Sequence, residues 1–188
     1  MKDLEAQFWG DCSNTFAEEL KQLVYLREMG FERKPTWRSQ YSFDGGGRSF
    51  IDIGGGPCSV LLKFTNRKQA VVVDPGAYPP WVASRYAGAH IDLCTVRGED
   101  ALDVGGFYDV AFIYNCLQHV DDPEQIVKNA RAMTRELRMF EWINVPPHDG
   151  HPHMLTETAL SRWSGRQGVV KRFAGENECY GEAWILGG

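Results

Sequence analysis

The run Phe50-Ile51-Asp52-Ile53-Gly54-Gly55-Gly56-Pro57-Cys58-Ser59 carries an apolar stretch into a carboxylate, breaks into three glycines and resumes at a proline. Glycines at such a break let the backbone turn sharply and approach a ligand with no Cβ in the way. A helix opening at Pro57 would aim its first N–H groups at the same point. Together these features describe a nucleotide-type cofactor site. Asp52 sharpens that reading, because a negative charge beside the turn repels a pyrophosphate and suits a cationic group such as an amino-acid ammonium.

Other reactive side chains end later apolar runs. Asp74-Pro75 lies about 20 residues after the glycines, a spacing at which a carboxylate accepts hydrogen bonds from both ribose hydroxyls. Glu99-Asp100 and Asn115-Cys116-Leu117-Gln118-His119 follow two further runs, and His148, His151 and His153 crowd the segment after the last. A histidine there can serve as a general base near neutral pH. The three imidazoles could also ligate a metal. However, Pro146, Pro147 and Pro152 stiffen the segment and only Asp149 is at hand to complete the set, so no metal is expected.

The elements that must position these residues alternate in type. Ser49–Ile53, Ala70–Asp74, Ile91–Val96, Tyr108–Tyr114 and Leu137–Ile143 read as strands. Between them, helices are expected at Pro57–Asn66, around Pro80–Ala87 and after Asp122, which combines an Asp cap, Pro at N1 and Gln at N3. Thr156 caps a short helix through Trp163 that Gly165 closes, and Gly168–Phe173 with Tyr180–Leu186 forms a closing hairpin. Such alternation of nearly continuous apolar strands with helices means an α/β fold, a mostly parallel sheet covered on both faces. Ahead of it, Thr15-Phe16-Ala17-Glu18 has capping-box spacing, Phe16, Leu20, Leu23 and Val24 recur at helical intervals, and Gly30 closes the helix. We divide the chain into an N-terminal helical extension or lid, 1–44, and a core, 45–188. The flexible turn Asp44-Gly45-Gly46-Gly47 joins them. Phe8, Trp9, Lys21, Gln22 and Tyr25 are the extension's candidates for contact with a cofactor, Phe8 and Trp9 forming an aromatic wall beside Gly10-Asp11.

In this order the motifs resemble those of class I S-adenosylmethionine-dependent methyltransferases, over about residues 48–187. The family's first motif is an acidic residue followed by Gly-x-Gly-x-Gly, and here it reads Asp52-Ile53-Gly54-Gly55-Gly56-Pro57-Cys58, with Cys58 in place of the third glycine. Asn115-Cys116-Leu117-Gln118-His119-Val120-Asp121-Asp122-Pro123 is similar to the signature after the fourth strand, where Glu is frequent at the position of Gln118. The resemblance implies a Rossmann-like, doubly wound, seven-stranded, mostly parallel sheet with a C-terminal antiparallel hairpin. It implies S-adenosylmethionine as cofactor, with Asp52, Gly54, Gly55 and Gly56 facing the methionine part and Asp74 the ribose. Asp100, chosen narrowly over Glu99, would reach the adenine amino group.

The expected reaction is methyl transfer, by preference O-methylation, to a small-molecule or sugar-like acceptor, with the histidines as base. Two rivals share the same motifs: a non-catalytic S-adenosylmethionine-binding module and an NAD-dependent oxidoreductase. Lys and Arg are scattered over a chain of net charge -5, so nucleic acid is not a favoured partner. Neither the acidic Met1–Glu5 nor any later window suggests a signal peptide or a membrane span. Five dispersed cysteines without a C-x-x-C pair read as reduced thiols of a cytoplasmic protein. The sequence sets no oligomeric state.

Overall fold

The computed structural model describes residues 7–37, 39–177 and 179–187; Met1–Glu5 thus lies outside the described residues. A seven-stranded sheet forms the centre. Its strands are β2 (Ser49–Ile53), β4 (Gln69–Val73), β5 (Asp92–Cys94), β6 (Tyr108–Tyr114), β7 (Thr134–Ile143), β8 (Val169–Glu176) and β9 (Cys179–Leu186), in the order β5-β4-β2-β6-β7-β9-β8. The first five of that order run parallel, and β7, β9 and β8 pair antiparallel to close the sheet. This is the Rossmann-like arrangement expected from the sequence, and strand order reverses between β2 and β6.

The central strands β4, β2 and β6 are buried on both faces, which is why they read as unbroken apolar runs. Phe50 of β2, Val72 of β4, Phe112 and Tyr114 of β6 and Phe140 of β7 face helices α1 (Thr15–Glu28) and α2 (Pro80–Gly88). Their alternates Ile51, Ile53, Val71, Val73, Ala111, Ile113 and Met139 face α3 (Pro123–Met133) and α4 (Glu157–Ser164). The Asp122 side chain caps α3 by accepting from the Gln125 N–H, and Thr156 caps α4 in the same way from Ala159. Gly165 closes α4 in the left-handed conformation.

Three local expectations fail for identifiable reasons. No continuous helix follows the glycines: two 3-10 turns, Gly56–Cys58 and Val60–Lys63, are separated at Ser59. The Tyr86 hydroxyl takes the Ser59 N–H, and the Ser59 Oγ then accepts from Leu61, so the chain restarts instead of continuing. In α1, Phe16 is 71% exposed, while Gln22, Val24, Tyr25 and Leu26 are buried. The buried face is chosen by Tyr25, whose ring lies 4.4 Å from Phe140 and 5.9 Å from Tyr114. The capping box is not made either, because Asn14 occupies the N-cap and Glu18 pairs with Lys21.

The segment after α1 is tied down. β1 (Phe43–Asp44) pairs with β3 (Phe64–Thr65), and the glycine turn expected to be flexible donates from Gly45 and Gly47 to the Thr65 and Asn66 carbonyls. Phe64 is the centre of this corner, its ring within 5.1–5.7 Å of Phe31, Phe43, Phe50 and Phe112. Phe64→Ala is therefore expected to cost about 3–5 kcal/mol in a urea unfolding curve, against less than about 0.5 kcal/mol for exposed Phe16→Ala. Equal losses would mean that the aromatic corner does not stabilise the domain.

Candidate functional site

The carboxyl ends of β2, β4, β6 and β7 meet on one side of the sheet, and the sequence-selected residues sort there into three groups. The first lies beneath the surface. The Asp52 side chain, fully buried, accepts from the hydroxyls of Ser59 and Tyr114, and its Oδ1 is buried without a hydrogen-bond partner. Tyr114 also accepts from Val60, and Tyr86 donates to the Gly56 carbonyl at 2.6 Å. Asp52 thus points under the glycine turn, against Gly55. Burial pushes its carboxyl up to about 7 despite these donors, with the nearby Asp74 charge adding to the rise.

The glycines also divide. A Cβ on Gly54 would stand 2.8 Å from Cys116 Sγ, and one on Gly55 would stand 2.8 Å from the Asp52 carboxylate. Those two are small so that the tips of β2 and β6 can close against each other and over Asp52. Gly56 is buried but less crowded: at φ +61° a Cβ there would meet the Trp9 ring at 3.5 Å and the Tyr78 hydroxyl at 3.9 Å. The Gly56 turn, with Trp9 and Tyr78 against it, is the candidate cofactor cleft.

Asp74 ends β4 on the wall of this cleft. Its Oδ2 accepts from the Gly56 N–H at 2.9 Å, and its Oδ1 accepts from the Gly76 N–H at 2.8 Å and the Tyr78 hydroxyl at 2.7 Å. One lone pair of Oδ2 is left, and a second opens if Tyr78 withdraws, so a vicinal diol can be accepted there. Pro75 carries the chain from Asp74 to Gly76, so that this bond is made. At the third tip, Glu99 faces inward, pairing with Arg97 and accepting from the Asp121 and Asp122 N–H groups. Asp100 is exposed and leaves its carboxylate toward solvent.

The fourth tip leads into a cavity of about 240 Å³ lined by Lys21, Tyr25, Asn115, Gln118, Trp142, Val145, His151, His153 and Tyr180. Asn115 adopts φ +47°, a left-handed turn that Asn tolerates, and its Oδ1 accepts from Gln118. Below it, Glu141 is fully buried on the opposite face of β7 and accepts from the N–H groups of Cys116 and Leu117. Trp142, next on the strand, turns to the other face and into the cavity.

The histidines form one cluster with distinct roles for each nitrogen. A carbonyl can only accept, so His119 donates from Nδ1 to Gly150 and His153 from Nε2 to Val120, each at 2.8 Å. That leaves Nδ1 of neutral His153 as an acceptor. The His151 ring packs 4.3 Å from His119 and 4.2 Å from His148, its Nδ1 is buried without a partner, and burial beside the other two imidazoles pushes it down to about 4. His148 is exposed and stands outside the cavity. Among the described residues no group of three His, Cys, Asp or Glu is arranged to hold a metal ion.

Two contributors escaped the sequence reading. Tyr78 carries one local signal, an aromatic four residues after a strand-end carboxylate. Tyr180 carries none, because it reaches the cavity from the last hairpin.

No family model matches the chain. It is 26% identical over 145 residues to a protein named uncharacterized methyltransferase from Mycobacterium sp. strain KMS, a match covering 73% of this chain and 54% of that protein. The chain thus spans about half the length of the curated relatives it matches. Among solved structures it is similar to the DhpI–S-adenosylhomocysteine complex (TM-score 0.59, 11% identity, 98% of this chain and 91% of that one). It is also similar to the N-methyltransferase NodS from Bradyrhizobium japonicum WM9 with S-adenosyl-l-homocysteine (TM-score 0.56, 14% identity, 94% and 88%). The chain is therefore a sequence relative of named methyltransferases and has the fold of S-adenosylhomocysteine-bound ones.

Burial pushes the Glu141 carboxyl from 4.5 up to about 8, because two weak backbone donors do not replace lost water. The folded chain keeps that proton where the unfolded chain releases it, so this group's stabilisation is full below pH 4.5 and is lost as pH rises through about 8. Glu141→Gln is expected to flatten the fall of Tm between those limits. Parallel Tm–pH profiles for the two proteins would remove Glu141 from that role.

Proposed function

We propose that the protein is an S-adenosylmethionine-dependent methyltransferase that acts on a small-molecule acceptor, by O-methylation. The observation that carries this reading is the adjacency of two compartments. The Gly56–Asp74 cleft, framed by Trp9 and Tyr78, abuts through the Gly54–Cys116 contact the strand tip from which the Asn115–His153 cavity opens. Relatedness to named methyltransferases and the shared fold support the same donor.

The residues present fit that cofactor. Gly56 offers a floor without a Cβ, Asp74 can accept the ribose diol once Tyr78 gives way, and Asp100 offers a solvent-facing carboxylate to an adenine amino group. Asn115, Cys116 and Gln118 border the methionine end, where Asp52 acts from beneath by fixing the turn. The bound sulfonium supplies an already activated methyl carbon, so the chain's own task is to hold the acceptor in line and keep water out. Tyr25 and Trp142 wall the cavity. In this assignment His153 Nδ1 takes the proton of the acceptor hydroxyl while Val120 holds the ring through Nε2, and His151 stays neutral beside it. His148 serves to pack the cluster.

Residues 1–44 would then act as the extension that covers the donor, with Trp9 over Gly56 as its contact point. Five cysteines that form no disulfide among the described residues support a reducing, cytoplasmic setting. Neither a nucleic-acid nor a membrane partner is part of the proposal.

S-adenosylhomocysteine should raise Tm where NAD does not; the reverse result would replace the reading with that of an oxidoreductase. Asp74→Asn should weaken donor affinity by about 1–3 kcal/mol, measured by calorimetry. His153→Ala should leave that affinity unchanged while lowering kcat about 10²-fold or more. Donor binding with no S-adenosylhomocysteine formed from any acceptor in an extract would leave a non-catalytic binding module.

A further inference from the structure

The acceptor cavity has a chemical bias of its own. Three aromatic rings stand on its wall, Tyr25 and Trp142 from the interior and Tyr180 from β9, where the ring leans against Gly175 and remains 68% exposed. Val145 adds an apolar rim. A volume of about 240 Å³ lies below the range that holds drug-sized ligands, which limits a guest to about a single ring with substituents.

Charge in the cavity is one-sided. Among the described residues no carboxylate lines it, although the chain as a whole is acidic. Its one permanent cation among them is Lys21, three-quarters buried on α1 and directed to the same space as the Tyr25 ring one turn on. Lys21 is held by Glu18 on its own helix at 2.7 Å, a pair that fixes the ammonium while two of its three N–H donors remain for a guest. Glu18 itself is not part of the wall. Lys21 from α1 and His153 from the segment after β7 both line the cavity. A guest that fills it therefore meets a cation and a proton acceptor beside flat apolar surfaces.

We infer that the acceptor is a one-ring aromatic carboxylate that also bears the hydroxyl to be methylated, its carboxylate held by Lys21 and its ring by Trp142 and Tyr180. This deepens the methyl-transfer reading and rests on it. The atoms balance simply: the hydroxyl oxygen forms a bond to the methyl carbon, the carbon–sulfur bond breaks with its electron pair going to sulfur, and the hydroxyl proton goes to His153 Nδ1. The carboxylate takes no part in bond making; it orients the ring.

The test uses the full chain saturated with S-adenosylhomocysteine, titrated calorimetrically with 4-hydroxybenzoate and its neutral isostere 4-hydroxybenzamide. A charge-assisted contact in a largely buried site should favour the acid about tenfold. Lys21→Met should bring the two within about twofold, and Lys21→Arg should restore the preference, with Tm of each variant recorded to exclude misfolding. Equal binding of acid and amide, binding of neither, or a preference that survives in Lys21→Met would overturn the inference. S-adenosylhomocysteine is titrated first: its failure to bind sinks the methyl-transfer reading, whereas donor binding with no acid preference sinks the acceptor class alone.

Discussion

A carboxylate buried under a glycine turn is costly, and the site is organised by the way that cost is met. Asp52 has no access to water, so Ser59 and Tyr114 must donate to it, and both residues are thereby fixed in place. Fixing Ser59 exposes its N–H to Tyr86, which in turn holds the Gly56 carbonyl. The turn that forms the cleft floor is thus held from below by one polar cluster spanning β2, β6 and α2. Glu141 does the corresponding work on the other face, where it holds the tip of β6 through two backbone N–H groups. Two buried carboxylates, one on each face of the sheet, set two adjacent loops.

This arrangement separates positioning from contact. Gly54 and Gly55 are small for the sake of Cys116 and Asp52, whereas Gly56 is the one whose absent side chain faces the cleft. Asp74 does both: it secures the Gly56 N–H and keeps acceptor capacity on the open side. The cavity lined by Asn115, His151 and His153 is built from different elements, chiefly α1, the segment after β7 and the last hairpin. Substitutions in its wall can therefore leave the turn undisturbed.

The strands are legible in the sequence because a sheet buried on both faces needs continuous apolar runs, and β2 and β6 fall where those runs place them. Helices α3 and α4 are legible from their caps, Asp122 and Thr156, which act locally. What is not legible depends on partners far along the chain. Nothing within ten residues of Ser59 indicates that Tyr86 will interrupt a helix there. The buried face of α1 is set by Tyr114 and Phe140, which no helical period within α1 encodes. The same limit applies to Asp52: an acidic residue before a glycine turn suits a ligand or a buried hydroxyl pair equally well, and only the position of Tyr114 decides between them.

The cavity wall joins Lys21 and Tyr25, near one end of the chain, to Tyr180, near the other. During synthesis α1 emerges early, yet the surfaces that bury its apolar face, Tyr114 and Phe140, come much later, and Tyr180 later still. The contacts that complete the cavity are among those with the greatest sequence separation, and chain-closure entropy delays such contacts most. The glycine turn also waits for Tyr114 of β6, but not for Tyr180 of the last hairpin. In kinetic terms, the last wall of the cavity arrives after the turn already has its partners.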